Sequence, residues 1–269
     1  MFLESDLRRA AAVYRALPEY TRRVRLVGPE PGEPPEDLPL TGYEFQLLSQ
    51  NGEDGVLAEI LRRVGAPGRW FVEFGVESGR EGTCVALADV AGWHGLFMES
   101  DGSHNHLLHQ KYQWNAGVTT LHATVTPERV NELFAAGGVP EEPDVVSIDI
   151  DGGDYWVWRA LRGYRPRVVV VEYNSALPPH ERLVQPPEAA TWLGTAFFGA
   201  SLGALVALGE EKGYRLVHCE LAGANAFFVR SDLAVHFPRP DEVQRRGPNY
   251  FLTSYGHPTD DTGREYLKV

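Results

Sequence analysis

The sequence predicts an α/β protein whose doubly wound, mostly parallel sheet of seven strands ends in an antiparallel hairpin. Two observations predict this fold class. Five short apolar runs alternate with segments of helical periodicity, and several of these runs end in an acidic residue or a glycine turn. Downstream, residues 214–220 and 225–230 alternate as two strands around a short connection, which is typical of a hairpin.

The composition excludes several classes of function. The chain has 25 Lys and Arg against 37 Asp and Glu, and the resulting charge of -12 argues against binding nucleic acid or an anionic membrane surface. No apolar run approaches the ~20 residues that cross a bilayer. Residues 1–20 lack the apolar core of a secretory signal, and the two cysteines form no metal-spaced pair, so we expect a cytoplasmic protein. We expect a small-molecule substrate, and the sequence leaves a homo-oligomer open.

The chain divides into three predicted parts. Residues 1–40 combine a short helix with a proline-rich acidic connector, residues 41–236 form the main domain, and residues 237–269 form an irregular tail that packs on it. Within the domain, residues 175–200 are long for a connection. This length predicts an active-site cover or an ordered surface excursion.

A polar cluster opens the main domain at residues 49–54. It includes Gln50 and Glu53, and it precedes a helical pattern that ends at Gly65. Capping of the helix explains one or two of these side chains, and contact with a ligand explains the others.

The first predicted strand, residues 70–72, leads into Glu73, Gly75 and Gly79. The glycines permit positive φ and a close approach of the backbone to a ligand. We expect the N–H groups that open the next helix, near residue 83, to face that ligand. The spacing is not the three-glycine fingerprint of dinucleotide-binding proteins.

The second strand ends in Glu99, about twenty residues past the first turn, where nucleotide-binding folds place a carboxylate on ribose hydroxyls. A carboxylate accepts two hydroxyl hydrogen bonds at once, which suits a vicinal diol. Asp101 is explained as the N-cap of a helix. The histidines that follow match no common metal spacing, so we expect them to be exposed.

Residues 118–125 predict a third strand, and Thr126 with Pro127 predicts the start of the next helix. A fourth strand then runs into Asp149, Asp151 and Asp154. Three carboxylates at one edge of a parallel sheet repel one another unless a metal, a cationic cofactor or a transferable proton is held there. Capping of the following helix explains one of the three aspartates.

The fifth strand ends in Glu172 and Asn174. Because the carboxyl ends of parallel strands meet at one edge of the sheet, we expect these residues beside Asp149 and Asp151. Oxygen-only ligands suit Mg²⁺, so Asp149, Asp151 and Glu172 are a candidate metal site. Residues 201–212 then predict a helix that Gly213 ends.

This order of elements resembles the class I S-adenosylmethionine-dependent methyltransferases, which have a Rossmann-like fold. Local sequence extends the resemblance: residues 49–54, the Glu73-Phe-Gly75 turn, residues 148–154 and residues 225–230 look like motifs of the FkbM-type methyltransferase family. The similarity covers about residues 45–232.

The resemblance implies a set of roles. S-adenosylmethionine would be held at its methionine end by Glu73, Gly75 and Gly79, at its ribose by Glu99 and near its adenine by Ala123, with Gln50 and Glu53 also on the cofactor side. Asp149 would face the cofactor amino group or the methyl acceptor. The resemblance also implies O-methylation of a sugar or natural-product hydroxyl. From the residues themselves we hypothesise that Asp149, Asp151 and Glu172 form a catalytic acidic rim, that Asn174 orients the acceptor, and that Mg²⁺ is an additional candidate cofactor.

Two other functions remain open from the sequence. One is an NAD-linked oxidoreductase, against which the missing third glycine and the terminal hairpin count. The other is a non-catalytic cofactor-binding protein, against which the acids at neighbouring strand ends argue.

Overall fold

The structure is a computed structural model that describes residues 39–189, 191–250 and 256–269. The predicted N-terminal helix and its connector lie outside the described residues, except for residues 39 and 40, and so do Phe251 and Tyr255 of the tail. The described strands are β1 (Trp70–Phe74), β2 (His94–Glu99), β3 (Val118–His122), β4 (Val145–Ile148), β5 (Val168–Glu172), β6 (Leu183–Val184), β7 (Tyr214–Cys219), β8 (Asn225–Arg230) and β9 (Leu267–Lys268). The described α-helices are α1 (Glu53–Val64), α2 (Val85–Asp89), α3 (Gly102–Tyr112), α4 (Val130–Ala136), α5 (Asp154–Ala160) and α6 (Leu202–Glu211), and short 3₁₀ turns cover Leu40–Tyr43, Pro187–Ala189 and Ala234–His236.

The main sheet has seven strands in the order β3-β2-β1-β4-β5-β8-β7. The first five are parallel, and β8 is antiparallel to both of its neighbours. The predicted fold class is therefore confirmed. The chain order reverses between β1 and β4, and open α/β sheets bind their ligands in the crevice beyond the strand ends at such a point.

Both faces of the sheet are covered by helices. Val72 and Phe74 of β1 pack in one core with α4, α5 and α6, while Phe71 packs in a second core with α1, α2 and α3. Because both faces are buried, the parallel strands read as nearly continuous apolar runs, which is what made β4 and β5 easy to recognise.

Two helices begin later than the sequence indicates. Helix α2 starts at Val85, and the N–H groups of Thr83 and Cys84 donate to the carboxylate of Glu73 at 2.7 and 2.9 Å. The expectation that these N–H groups face a ligand is wrong, because both donate to the side chain of Glu73, which points from β1 toward α2. Helix α4 starts at Val130. The Val130 N–H donates a hydrogen bond to the Thr126 carbonyl, which closes the turn before the helix.

A second, two-stranded sheet joins distant parts of the chain. Strand β6 lies in the 175–200 segment and pairs antiparallel with β9 near the end of the tail. Neither strand was predicted from the sequence. The pairing ties the tail to the segment that was expected to cover the site. Among the described helices, none is long and apolar enough to cross a membrane.

Gly75 provides a test of the close approach between β1 and β4. It has φ 78°, and a Cβ there would lie 1.7 Å from the Asp149 carbonyl oxygen. We expect Gly75→Ala to lower the free energy of unfolding by about 3 kcal/mol or more, because strain and overlap act together. Urea denaturation measures this change.

Gly138→Ala is the matched control for that substitution. Gly138 has φ 68°, and no atom of the described residues lies within 4 Å of a Cβ built on it. Only the conformational cost of about 1 kcal/mol is then expected. Equal losses in the two variants would contradict the close approach at Gly75.

Candidate functional site

A cavity of about 1580 Å³ opens at the carboxyl edge of the sheet, where the chain order reverses. Its wall includes Gly75 after β1, Glu99 at the end of β2, Ala123 after β3, Asp149 after β4 and Glu172 at the end of β5. Pockets for one small molecule have about 300–1,000 Å³. The volume is therefore sufficient for a cofactor and a second molecule together.

The floor of the cavity depends on Gly75. Its N–H donates to the Met98 carbonyl at 3.1 Å, and its Cα faces the Asp149 carbonyl so closely that only a glycine fits. The turn after β1 is thereby held against the chain that leaves β4. This contact places the ends of β1, β2 and β4 around one space.

Glu99 is fixed in the cavity wall by the main chain. One carboxylate oxygen accepts the Glu77 N–H at 2.8 Å and the other accepts the Asp101 N–H at 2.7 Å. Oε1 also accepts a long hydrogen bond from the Ser100 hydroxyl at 3.4 Å, while Oε2 has a further lone pair, so the side chain is oriented and can still accept a hydrogen bond from a ligand. Asp101 itself caps α3, as expected, and accepts the N–H groups of Ser103 and His104.

Glu53 and Glu73 line a smaller recess of about 30 Å³ rather than the main cavity. Gln50, Gly75 and Asp149 line both spaces, so the recess adjoins the cavity. Glu53 accepts the Asn225 side-chain amide at 3.0 Å. Burial raises the pKa of Glu73 to about 7, against the lowering effect of its two backbone hydrogen bonds.

Asp149, Asp151 and Glu172 converge, as the sequence predicts. One carboxylate oxygen of each lies within 4.8 Å of the others. Oxygen Oε2 of Glu172 is buried and has no hydrogen-bond partner among the described residues. Burial and repulsion between the carboxylates raise the pKa of Asp149 and of Glu172 well above the ordinary range. Such a group can bind a cation or accept a proton at neutral pH.

Asp154 does not belong to this cluster, although the sequence places it at the same edge. It is fully buried, and its carboxylate accepts the N–H groups of Ile150 and Gly152 at 2.9 and 3.0 Å. Asp151 and Gly152 both have positive φ. Asp154 therefore fixes the turn that carries Asp149 and Asp151 into the cavity.

Asn174 is also placed differently from the expectation. It is 0% exposed and does not line the cavity. Its amide nitrogen donates to the carbonyls of Ala196 and Phe198 and to the Tyr266 hydroxyl. The side chain holds the 175–200 segment and the tail, and it does not point at a methyl acceptor.

Gly79 lies outside the cavity wall as well. A Cβ there would lie 2.7 Å from Leu108 Cδ1 on α3, and its carbonyl accepts the Lys111 ammonium. The glycine permits tight packing of a helix, which corrects the expectation that it cradles a cofactor. Gln50 and Ala123 do line the cavity.

The sequence did not single out three aromatic rings of the wall as ligand contacts. Trp192 of the 175–200 segment lies 4.7 Å from His257 of the tail, and Tyr250 lies 4.9 Å from His257, both measured between ring centroids. All three rings line the cavity, and His257 is close enough to Asp151 for the two charges to interact. The unusual length of residues 175–200 and the aromatic tail were the only signals in the sequence.

Comparison with known proteins identifies a likeness of structure only. No protein-family model matches the chain, and no curated protein sequence matches it. Fibrillarin of Aeropyrum pernix, solved with S-adenosyl-L-methionine bound, is 12% identical, with coverage of 62% of this chain and 67% of that chain and a TM-score of 0.42. The N-terminal domain of EvdMO1, solved with S-adenosylhomocysteine (SAH), is 18% identical, with coverage of 81% and 94% and a TM-score of 0.43.

A third solved structure, the mitomycin 7-O-methyltransferase MmcR, is 16% identical, with a TM-score of 0.38. The likeness covers 65% of this chain and 54% of that chain. Because these TM-scores lie below 0.5, the fold class rests on the strand order and register described above.

The buried carboxyls predict how stability depends on pH. Glu73 and Glu220 are 4% and 0% exposed, and burial raises the pKa of each to about 7. Between about pH 5 and 7 the folded chain holds protons that the unfolded chain has lost. We therefore expect the free energy of unfolding to fall as pH rises through this window, by up to about 1.4 kcal/mol per pH unit for each group.

Urea denaturation between pH 5 and 8 checks this expectation. Glu220→Gln is expected to flatten the slope, and the exposed Glu188→Gln serves as the control that leaves it unchanged. A free energy of unfolding that stays constant or rises from pH 5 to 7 would be inconsistent with the buried carboxyls.

Proposed function

We propose that the protein is an S-adenosylmethionine-dependent methyltransferase of the FkbM type that methylates a hydroxyl of a small molecule, such as a sugar or natural-product scaffold. The position of Glu99 is the observation that carries this proposal. Its carboxylate is oriented by two backbone N–H groups in the wall of a cavity at the switch point of the sheet. A carboxylate in this place suits the ribose diol of an adenosine-bearing cofactor.

Other cofactor contacts follow from the same wall. Ala123 is small and lies after β3, which leaves room for the adenine. Gly75 leaves the backbone bare beside the floor of the cavity. The recess that Gln50, Glu53, Glu73 and Asp149 line suits the amino group at the methionine end, because its carboxylates attract a positive charge.

S-adenosylmethionine supplies a methyl group on a positively charged sulfur. The chain has to align the acceptor hydroxyl with that methyl and remove the hydroxyl proton. Asp149, Asp151 and Glu172 are suited to the second task, because a raised pKa makes a carboxylate a stronger base near neutrality. One of these carboxylates would accept the proton of the acceptor hydroxyl during methyl transfer and would later release it to solvent.

The three carboxylates also fit a divalent cation. One oxygen of each lies within 4.8 Å of the others, and oxygen-only ligands suit Mg²⁺, which also keeps several waters. Oε2 of Glu172, which has no hydrogen-bond partner within residues 39–189, 191–250 and 256–269, would supply one ligand atom. Mg²⁺ held by Asp149, Asp151 and Glu172 would lower the pKa of an acceptor hydroxyl and orient it.

Glu99→Gln tests the cofactor proposal. The substitution removes the charge and places an amide NH₂ against a backbone N–H, so we expect SAH to bind at least tenfold more weakly by isothermal titration calorimetry. Glu132→Gln removes an equal charge from an exposed position on α4, away from the cavity wall, and is expected to leave the affinity within twofold. Wild-type protein is expected to show a thermal shift with SAH and none with NAD. Unchanged SAH affinity in Glu99→Gln, or a preference for NAD, would overturn the proposal.

The metal site has its own test. We expect Mg²⁺ to raise the melting temperature and the methyl-transfer rate, and EDTA to reverse both effects. Asp149→Asn and Glu172→Gln are expected to lose the Mg²⁺-dependent shift, whereas Glu77→Gln, which changes an exposed carboxylate of the same cavity, keeps it. If EDTA leaves both the stability and the activity unchanged, the metal proposal is wrong.

A further inference from the structure

The ionisable side chains in the wall of the main cavity are mostly acidic. Nine of the described lining residues are Asp or Glu, and none is Lys or Arg, although the chain contains 25 basic residues. Among the described residues of the wall, the side chains that can carry a positive charge are those of two histidines, His104 and His257. Burial lowers the pKa of His257, which favours its neutral form.

The expected cofactors do not compensate this charge. S-adenosylmethionine carries one net positive charge and a divalent ion carries two, against nine acidic side chains. Glu44, Glu99 and Glu220 are compensated locally because their oxygens accept backbone N–H groups, and Glu44 also lies 2.9 Å from His218 Nε2. The other six acidic side chains leave the rest of the cavity negative. A phosphate or carboxylate on the acceptor would lose its hydration there with no cationic side chain to replace it.

The end of the cavity near the tail adds aromatic surface to this negative wall. The rings of Trp192, Tyr250 and His257 form a cluster, and the Tyr250 hydroxyl is held 3.2 Å from the Ser175 hydroxyl. Burial raises the pKa of Tyr250 to about 12, and the charges of Glu172 and Glu220 act in the same direction. Carboxylates and aromatic faces together form the surroundings that bind an ammonium group.

Resting on the proposed function, we infer that the methyl acceptor carries a positive charge: it is a small amine-bearing alcohol or phenol whose ammonium group lies against Trp192 and Tyr250, near Glu172. The recognition is chemical and does not depend on one scaffold. A polyhydroxylated amino sugar and an aromatic amine alcohol present the same two groups, a hydroxyl to be methylated and an ammonium to be bound.

Two matched sets of probes test this inference on the full chain saturated with SAH. The aromatic set is tyramine, 4-(2-hydroxyethyl)phenol and 4-hydroxyphenylacetate, and the saturated set is glucosamine, glucose and glucuronate. Each set keeps a hydroxyl scaffold and changes the charge from positive to neutral to negative. Isothermal titration calorimetry at low ionic strength, with and without Mg²⁺, gives the dissociation constants.

We expect the amine in at least one set to bind tenfold or more tightly than its neutral partner, and the anions not to bind. Trp192→Leu is expected to weaken binding of that amine about tenfold and to leave SAH affinity unchanged, because the ring stabilises the ammonium group. Glu172→Gln is expected to reduce the preference for the amine, whereas Glu188→Gln, on the same segment as Trp192 but outside the wall, keeps it.

Equal binding of the three members, binding of the anion, or binding of neither amine overturns the inference. The measurement with SAH separates this failure from failure of the proposed function. If the wild-type protein does not bind SAH, the methyltransferase proposal is wrong. If it binds SAH tightly but shows no preference for amines, only the inference of a cationic acceptor is wrong.

Discussion

The crossing of Gly75 and the Asp149 main chain is the contact on which the rest of the site depends. Strands β1 and β4 are neighbours up to Phe74 and Ile148, and beyond that point the two chains turn toward opposite faces of the sheet. A glycine at positive φ lets the two turns remain in contact after they leave the sheet. The cavity therefore follows from the reversal of chain order between β1 and β4, and the absence of a Cβ at Gly75 allows the turns after these two strands to touch.

The acidic residues around this crossing fall into two kinds. Glu73, Glu99 and Asp154 accept backbone N–H groups, which fixes their orientation and offsets the cost of burying them. Glu172 keeps a buried oxygen that has no hydrogen-bond partner in the part of the chain that the structure describes, and its pKa is raised by burial and by Asp149. The first kind builds the scaffold of the cavity, and the second leaves a carboxylate oxygen available at its wall.

Much of the fold could be read from the sequence because burial leaves a periodic trace. The apolar run of β5, helix α6 to within one residue at each end, and the hairpin of β7 and β8 all appear where the pattern predicts. The convergence of Asp149, Asp151 and Glu172 followed from the rule that parallel strands end at one edge. Roles that depend on partners distant in the chain could not be read. The side-chain amide of Asn174 donates to the carbonyls of Ala196 and Phe198, and Gly79 packs against α3. The residues that neighbour Asn174 and Gly79 in the sequence do not indicate either of these partners.

The pairing of β6 with β9 has a consequence for how this protein can diversify. The 175–200 segment and the tail share strand hydrogen bonds, the Asn174 amide and the Tyr266 hydroxyl, and together they supply Trp192 and His257 to the same end of the cavity. Replacing one alone would leave the other with broken strand pairing and unmatched polar groups. The two pieces therefore form one structural unit, so a change of shape at this end of the cavity requires both to change together, while the main sheet stays the same.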